Sequence, residues 1–301
     1  MIDVYLLSGF LGSGKTSLLQ HLIKQWKAEG KLPAVIMNEF GKLPFDSGAV
    51  DGDVPLKELL QGCICCTGSE KTEAQIQSLL LEHNPDVILI ETTGAAHPVE
   101  ALDAVMSPLY ADRLQFKGIV SVADSKLWLE KEKLSPQVRM LFLEQLRHAH
   151  LILLNKSDLL DENELSTVTS GIQMINDHAM VIQTVHGKLP LSFLKQMIPN
   201  VNNSDVTKTR IGNELHLSAK LIKFESTVKM ENFENWVRNL PSTVYRMKGH
   251  VLIEGQKYPM LFQYAYGMVQ WLPEYIKMEP QIVLIGENLK EIEWLRGMAH
   301  A

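Results

Sequence analysis

The sequence predicts a doubly wound α/β domain with a mostly parallel sheet, followed by a smaller α+β domain. Over the first two thirds of the chain, apolar strand-like runs alternate with amphipathic stretches long enough for helices. A glycine-rich loop at residues 9–16 lies between the first of these runs and a helical pattern. Beyond a polar stretch near residue 200 the pattern changes to alternating strands. These observations predict a first domain over 1–197, a linker over 198–213 and a second domain over 214–301.

The strands of the first domain are predicted where apolar runs recur, at 4–7, 34–37, 87–90, 118–122, 151–154 and 180–184. Strands that are apolar throughout are buried on both faces, as in a parallel sheet covered by helices. Ligands in such folds bind beyond the carboxyl ends of the strands. The glycine-rich loop, Glu39, Glu91 and Asn155 each follow a predicted strand, so we expect them along one edge of the sheet.

The second domain is predicted to carry a half-exposed, mostly antiparallel sheet. We expect strands at 215–224, 250–253, 261–266 and 282–285, a helix at 233–240 that Pro241 ends, and a helix after the last strand. Its tryptophans, Trp236, Trp271 and Trp294, are expected in the core.

Composition narrows the class of protein. A formal charge of -6 and a pI near 5.9 argue against a general nucleic-acid binder, which needs concentrated Lys and Arg. No apolar run approaches the roughly 20 residues that cross a bilayer, and the apolar N-terminus has no basic leader. We therefore expect a cytoplasmic protein with neither membrane nor nucleic-acid partners.

The glycine-rich loop Gly-Phe-Leu-Gly-Ser-Gly-Lys-Thr fits the pattern of a loop that cradles phosphates, and we call residues 9–16 the phosphate loop. Its members include Gly9, Gly12, Ser13, Gly14, Lys15 and Thr16. Glycines let backbone N–H groups turn towards a phosphate, Lys15 adds a mobile charge, and Thr16 offers a hydroxyl to Mg²⁺. A chance match is the alternative, but the flanking strand and helix patterns argue against it.

The tetrapeptide Asn155, Lys156, Ser157 and Asp158 follows a core strand and matches the guanine-recognition pattern N-K-x-D. Asp158 can accept from the ring N–H and the exocyclic amine of guanine, donors that adenine lacks. A buried carboxylate without those donors makes the wrong base costly, so the predicted nucleotide is GTP or GDP. The Lys156 stem would cover the base, and Asn155 would brace the loop. His186, after the last strand of the domain, is a candidate for backbone contact with the base.

The run that ends at Glu91, Thr92, Thr93 and Gly94 has the form of a second phosphate-side motif. Glu91 could hold Mg²⁺ through water or align the attacking water, and the Gly94 N–H could face the γ-phosphate. The alternative for Glu91 is capping of the next turn. Glu39 follows the second strand, where nucleotide-sensing switches commonly lie, and is a further candidate for a catalytic, Mg²⁺ or metal contact. An ordinary exposed glutamate is its alternative.

All three cysteines, Cys63, Cys65 and Cys66, lie within four positions. A cluster this tight is no disulfide framework, and three thiolates suit Zn²⁺, with Cu(I) or Co²⁺ as alternatives. Packing as small buried residues remains open. The scattered histidines, including the pair His148 and His150, are expected to be surface or packing residues, and His97 has a minority case for a place near the phosphates.

In this order the phosphate loop, Asn-Glu-Phe-Gly, Gly-Cys-Ile-Cys-Cys, Glu-Thr-Thr-Gly and Asn-Lys-Ser-Asp resemble the CobW-type family of GTP-dependent metallochaperones, relatives of UreG and HypB. The segment 245–249, Gln263 and the pair 285–286 resemble its C-terminal domain. The resemblance implies a P-loop GTPase domain, slow GTP hydrolysis with Mg²⁺, zinc at Cys63, Cys65 and Cys66, and delivery of the ion to a client metalloprotein. A homodimer is common in the wider class.

Three positions depart from the family pattern. Lys42 stands where the family usually has Glu, and His97 and His150 stand where aspartates are common. These departures leave the fourth metal ligand and the identity of the metal open. A metal-responsive regulatory binder and a cobalt insertase, in cobalamin synthesis or for another metalloenzyme, are the competing interpretations.

Overall fold

The computed structural model describes residues 1–37, 54–58, 68–94, 98–110, 112–197, 218–224, 226–265, 267–273, 277–287, 289 and 292. The chain forms two compact units, Met1–Val105 with Arg113–Pro199, and Met106–Asp112 with Asn200–Ala301. The predicted linker lies outside the described residues. The domain limits of the sequence analysis therefore stay a prediction.

The strands of the first unit are β1 (Ile2–Ser8), β2 (Pro33–Met37), β3 (Leu56–Glu58), β4 (Val87–Glu91), β5 (Leu114–Asp124), β6 (Leu151–Asn155) and β7 (Met180–Gln183). Within the described part of the chain they form one sheet in the order β3-β2-β4-β1-β5-β6-β7. Every hydrogen-bonded pair in it is parallel. This confirms the predicted parallel sheet, to which the short polar strand β3 is an unpredicted addition.

The helices of the first unit are α1 (Lys15–Ala28), α2 (Gly68–Glu82), α3 (Pro98–Val105), α4 (Ser125–Leu129), α5 (Pro136–Arg147), α6 (Glu162–Gln173) and α7 (Leu191–Gln196), with 3-10 turns at Lys131–Lys133 and Ser157–Leu159. A further 3-10 turn, Pro108–Tyr110, belongs to the second unit. In the parts that the structure describes, no helix is both long and apolar enough to cross a membrane.

Strand β6 shows that helices cover both faces of this sheet. All five of its residues are buried. Leu153 joins the hydrophobic cluster that contains Leu18 and Leu22 of α1. Ile152 joins a separate cluster that contains Phe142 of α5. Successive strand side chains point to opposite faces, so the domain is doubly wound, as predicted.

The second unit has strands β8 (Ser218–Lys223), β9 (Val244–Val251), β10 (Met260–Ala265), β11 (Met268–Pro273) and β12 (Gln281–Gly286), and helix α8 (Met230–Arg238). Among its described residues the sheet order is β11-β10-β9-β12-β8, with antiparallel pairs. Phe233 of α8 meets Phe262 edge to face at 4.8 Å between ring centroids. Trp236 is buried in the same cluster, Trp271 packs against it, and Trp294 lies outside the described residues.

Strand β9 begins earlier than the predicted strand at 250–253. The sequence obscured it because Arg246, Lys248 and Gly249 break the apolar pattern. Gly249 is required there, since a Cβ would lie 2.1 Å from the Gln281 carbonyl oxygen of the neighbouring strand. Strand β11, in which Met268 and Val269 are exposed, also went unpredicted. The strand predicted at 215–224 is described only from residue 218 onward, and there β8 confirms it.

Candidate functional site

Five neighbouring strands bring the predicted site residues to one edge of the parallel sheet. In spatial order these strands are β4, β1, β5, β6 and β7. The carboxyl ends of parallel strands meet at the same edge, so the residues that end or follow them become neighbours. The predicted ones are Glu91 at the end of β4, the phosphate loop after β1, Asn155 at the end of β6 and His186 after β7. Asp124, at the end of β5, joins them without having been predicted.

The phosphate loop depends on its glycines for two different reasons. Gly9, Gly12 and Gly14 have φ angles of 134°, 74° and 109°, a region that L-residues rarely adopt. A Cβ at Gly9 would lie 2.3 Å from the Val122 carbonyl oxygen, and one at Gly14 would lie 2.2 Å from Asn155 Nδ2. Gly12 has open space around it, so only its backbone conformation requires glycine.

Helix α1 begins at Lys15, at the end of the phosphate loop, and Gly14 at its N-cap provides no side-chain hydrogen bond. Such a helix N-terminus favours an anion, because backbone N–H groups and the helix dipole both point at it. The buried Lys15 ammonium donates to the Gly9 carbonyl at 2.9 Å and to the Phe10 carbonyl at 3.3 Å. The lysine therefore arches over its own loop, where a bound phosphate would lie within its reach.

Thr16 and Glu91, 75 residues apart in the chain, come together beside this loop. The Thr16 hydroxyl donates to Glu91 Oε1 at 3.3 Å, and Glu91 is fully buried. Thr92 donates its backbone N–H to the Leu7 carbonyl at 2.9 Å and so carries the pairing of β4 with β1 past Glu91. A hydroxyl and a carboxylate are oxygen ligands of the kind that Mg²⁺ prefers, so these residues fit that ion.

Gly94 packs directly against the phosphate loop. A Cβ at Gly94 would lie 2.7 Å from the Leu11 nitrogen and 3.0 Å from the Leu11 Cα. Gln145 of α5 donates from Nε2 to the Gly94 carbonyl at 3.1 Å, and only 1% of Gln145 is exposed. Gln145 was not predicted from the sequence. Its only signal was a glutamine beside Leu146, on the apolar side of an amphipathic helix.

Asn155 joins three parts of the site. Its Nδ2 donates to the Ser13 carbonyl at 2.8 Å, and its Oδ1 accepts from the Gly187 N–H at 3.0 Å. Its own carbonyl accepts from the Ser125 hydroxyl at 2.8 Å. The side chain is buried, so these bonds are shielded from water. The phosphate loop and the loops after β6 and β7 therefore share one anchor.

Lys156 has a positive φ of 60°, and its ammonium donates to Asp124 Oδ2 at 2.6 Å. Through Oδ1, Asp124 also caps α4 by accepting from the N–H groups of Lys126 and Leu127. Asp124 was not among the predicted site residues. Its signal was available, because an acid that follows a core strand and precedes a helix belongs at the same sheet edge.

Asp158 lies in the 3-10 turn Ser157–Leu159 and is exposed. Selection of the base requires the Asp158 carboxylate to be buried, so the bound base itself would have to cover it. His186 is also exposed, with a φ of 57°. The Gly187 N–H is engaged by Asn155, so in this arrangement a backbone contact with the base falls to His186 or its preceding neighbours.

The candidate metal ligands Glu39, Cys63, Cys65 and Cys66 lie outside the described residues. So do His97, the candidate for a place near the phosphates, and Lys42. Among the residues that are described, no group of three or more His, Cys, Asp and Glu side chains could hold a metal ion.

His148 and His150 are packing residues at the end of the sheet away from the site. His148 Nε2 lies 3.1 Å from Glu144 Oε2, and His150 Nδ1 accepts from the Ile119 N–H at 3.2 Å. Burial, and secondarily the charge of His148, lower the pKa of His150 to about 4. His150 is therefore neutral and carries its proton on Nε2.

Comparison with known proteins identifies both parts of the chain. The family model of the CobW/HypB/UreG nucleotide-binding domain matches residues 3–183. The model of the cobalamin synthesis protein cobW C-terminal domain matches residues 218–301.

Similar proteins cover much or nearly all of the chain. The zinc chaperone YeiR of Escherichia coli is 29% identical over 80% of this chain and 71% of its own length. A zinc-regulated GTPase metalloprotein activator of Schizosaccharomyces pombe is 28% identical over 97% of this chain and 84% of its own. The crystal structure of a zinc-bound triple mutant of the GTPase YjiA, an E. coli protein, superposes with a TM-score of 0.53 at 25% identity, covering 96% of this chain and 95% of that one.

Proposed function

The chain belongs to the CobW/HypB/UreG family, and from this premise we propose that it is a GTP-hydrolysing zinc metallochaperone. In this function, the nucleotide held at the sheet edge controls the binding of zinc and its transfer to a client metalloprotein. The observation that carries the nucleotide part is the position of Asn155, which anchors the phosphate loop and the N-K-x-D loop together. The relatives named as zinc chaperones support the metal part.

The proposed chemistry assigns a role to each described residue. When the nucleotide binds, Lys15 would turn from the carbonyls of Gly9 and Phe10 to the β,γ-phosphates. Its hydrogen bonds to an anion are stronger than those to neutral carbonyls. Thr16 and Glu91 would hold Mg²⁺, which neutralises charge on the phosphates when it is bound. Glu91 also lies where it could align the attacking water. No other general base is assigned among the described residues, which fits a slow hydrolysis.

Base selection is assigned to Asp158, with Lys156 and Asn155 supporting it. Lys156 is held at its ammonium by Asp124, which leaves its aliphatic stem available to lie along the base. Asp158 would accept from the two guanine donors once the base covers it. The nucleotide pair is therefore GTP and GDP.

Zinc is the cargo in this proposal, and Cys63, Cys65 and Cys66 are its proposed ligands. Thiolates bind Zn²⁺ well, and Co²⁺ is the alternative ion for such a donor set. Glu39, which follows β2 in the sequence, is the proposed link between the nucleotide and the metal. The proposed place of action is the cytoplasm, and the chain could act there as a homodimer.

The nucleotide assignment is tested by Asp158→Asn. An amide in place of the carboxylate can donate to the C2 carbonyl of xanthine, so affinity for GDP should fall by at least about 100-fold while affinity for XDP rises. Asp161→Asn, which alters the cap of α6 on the same segment, is the matched control and should change neither. Unchanged preference for GDP in the Asp158→Asn protein would remove Asp158 from base selection.

The metal assignment is tested with Zn²⁺ and a chelating dye, using the wild type and a protein with all three cysteines changed to Ser. Tight binding of one Zn²⁺ is expected only in the wild type. Co²⁺ added to the wild type should give the intense thiolate charge-transfer absorption. Equal zinc affinity in the two proteins would show that the cysteines are structural.

A further inference from the structure

The bond from Gln145 to Gly94 joins helix α5 to the segment that follows β4. Its length is 3.1 Å, and the donor side chain is almost fully buried. Gly94 is also confined by Leu11 of the phosphate loop, whose backbone nitrogen would lie 2.7 Å from a Cβ at Gly94. Gly94 is therefore fixed in two ways, by a hydrogen bond and by close packing.

Helix α5 makes a second contact with the same region through Phe142. This ring meets Phe10 of the phosphate loop edge to face, at 6.1 Å between centroids. Phe142 also packs against Trp128 at 6.1 Å, in the cluster that includes Val168 and Ile172 of α6. The helix that carries Gln145 is thus held against the phosphate loop by aromatic packing.

We propose that Gln145 is a positioning residue that holds Gly94 ready to recognise the γ-phosphate. By fixing the Gly94 carbonyl, it restrains the backbone at Gly94, whose N–H is the proposed γ-phosphate donor. This inference rests on the proposed GTP site. Gln145 is assigned no contact with the phosphate itself, and its proposed influence passes through its bond to Gly94.

The consequence is specific to the triphosphate. GDP has no γ-phosphate, and its β-phosphate would be held by the phosphate loop and Lys15, which Gln145 does not contact in the bonds described. Loss of the Gln145 donor should therefore lower the affinity for GTP and leave the affinity for GDP unchanged. A role in folding alone would leave the ratio of the two affinities unchanged.

The test compares Gln145→Met with Gln25→Met. Methionine keeps the volume of the side chain but removes the donor. Gln25 is the matched control, because it too ties a helix to a backbone segment, donating to the Leu189 carbonyl at 2.7 Å and accepting from the Leu191 N–H at 3.2 Å. Affinities for GDP and for the slowly hydrolysed analogue GppNHp are measured with Mg²⁺ for wild type and both variants.

We expect Gln145→Met to lower the affinity for GppNHp, relative to that for GDP, by about three- to tenfold, which is the effect of losing one buried hydrogen bond. Gln25→Met should leave that ratio unchanged. If Gln145→Met does not fold, Gln145→Asn, whose amide is one methylene too short to reach, gives the same readout. An unchanged ratio in a folded variant overturns the inference and leaves the GTP site standing, whereas a wild type that binds neither nucleotide overturns both.

Discussion

The two halves of the nucleotide site are built in different ways. The phosphate half, comprising the phosphate loop with Glu91 and Gly94, is shaped by the backbone of one continuous loop whose glycines adopt positive φ angles. The base half, comprising residues 155–158 with His186, is assembled from separate loops that side chains tie together. A local pattern can specify the phosphate loop itself, but Glu91, Gly94 and the base half come together with it only when the sheet has formed.

The lysines of the two halves show the same contrast. Lys15 donates to neutral carbonyls of its own loop, whereas Lys156 pairs with the carboxylate of Asp124 on another strand. A phosphate outcompetes a neutral carbonyl for an ammonium, so Lys15 can be drawn to the nucleotide. Lys156 is paired with the carboxylate of Asp124, so we expect it to keep its position. We therefore expect the phosphate half to adjust on binding more than the base half does.

Replacing Lys15 should give the largest effect and break the phosphate half alone. In Lys15→Ala, GTP hydrolysis measured by phosphate release should fall by about 100- to 1000-fold, as when one transition-state donor is removed elsewhere. Lys24→Ala, an exposed position on the same helix, is the control. Hydrolysis at the wild-type rate in Lys15→Ala would contradict the assigned role.

Replacing Asn155 should disturb both halves of the site and so lower the affinity for both nucleotides. Asn155→Ala removes the bonds to Ser13 and Gly187, and affinity for GDP and GppNHp should each fall by about ten- to 100-fold. Asn176 is an apt control, since its buried amide bonds the carbonyls of Leu146, Arg147 and Ala149 away from the site. Asn176→Ala should lower the free energy of unfolding but leave both affinities unchanged. If Asn155→Ala affects only one nucleotide, Asn155 is not the joint between the halves.

Acid should destabilise the sheet beneath both halves through His150. The folded-state pKa of about 4 lies below the usual value of 6.5, so the unfolded chain takes up the proton first. The contribution of neutral His150 to the free energy of unfolding is fully present above about pH 6.5 and is lost as the pH falls towards 4. At pH 5 the loss is about 2 kcal/mol. Urea unfolding at pH 7.5 and pH 5 measures this loss. His150→Asn, which can still accept from the Ile119 N–H, should flatten the dependence, and His178→Asn should not.

The smallest effect is expected from Asp124, which sharpens the account of the base half. Asp124→Ser keeps an oxygen that can cap α4 but removes the carboxylate that holds Lys156. Affinity for GDP should fall by about two- to fivefold, since a partly exposed ion pair contributes little. Asp161→Ser, an equivalent change at the cap of α6, should leave GDP affinity unchanged. A loss that exceeds tenfold would mean that Asp124 does more than hold Lys156.

The sequence sufficed for the features whose signals are local. The parallel sheet followed from apolar runs such as Leu151–Asn155, and the phosphate loop from the spacing of its glycines and Lys15. Gln145 was not predicted, because its partner Gly94 is 51 residues away along the chain. Asp124 was overlooked although it follows a predicted core strand. Strand β9 was predicted short, because its close approach to β12 requires Gly249, a residue that usually signals a break.

The central claim is that the nucleotide controls the metal, and zinc affinity in the two nucleotide states tests it most directly. The measurement is competition for Zn²⁺ with a chelating dye, for wild type and the protein with Cys63, Cys65 and Cys66 changed to Ser, each loaded with GDP or with GppNHp. We predict that tight binding requires the cysteines and that its affinity differs between the two nucleotides. Zinc affinity that is the same with either nucleotide, in a wild type that binds both, would contradict a nucleotide-controlled chaperone.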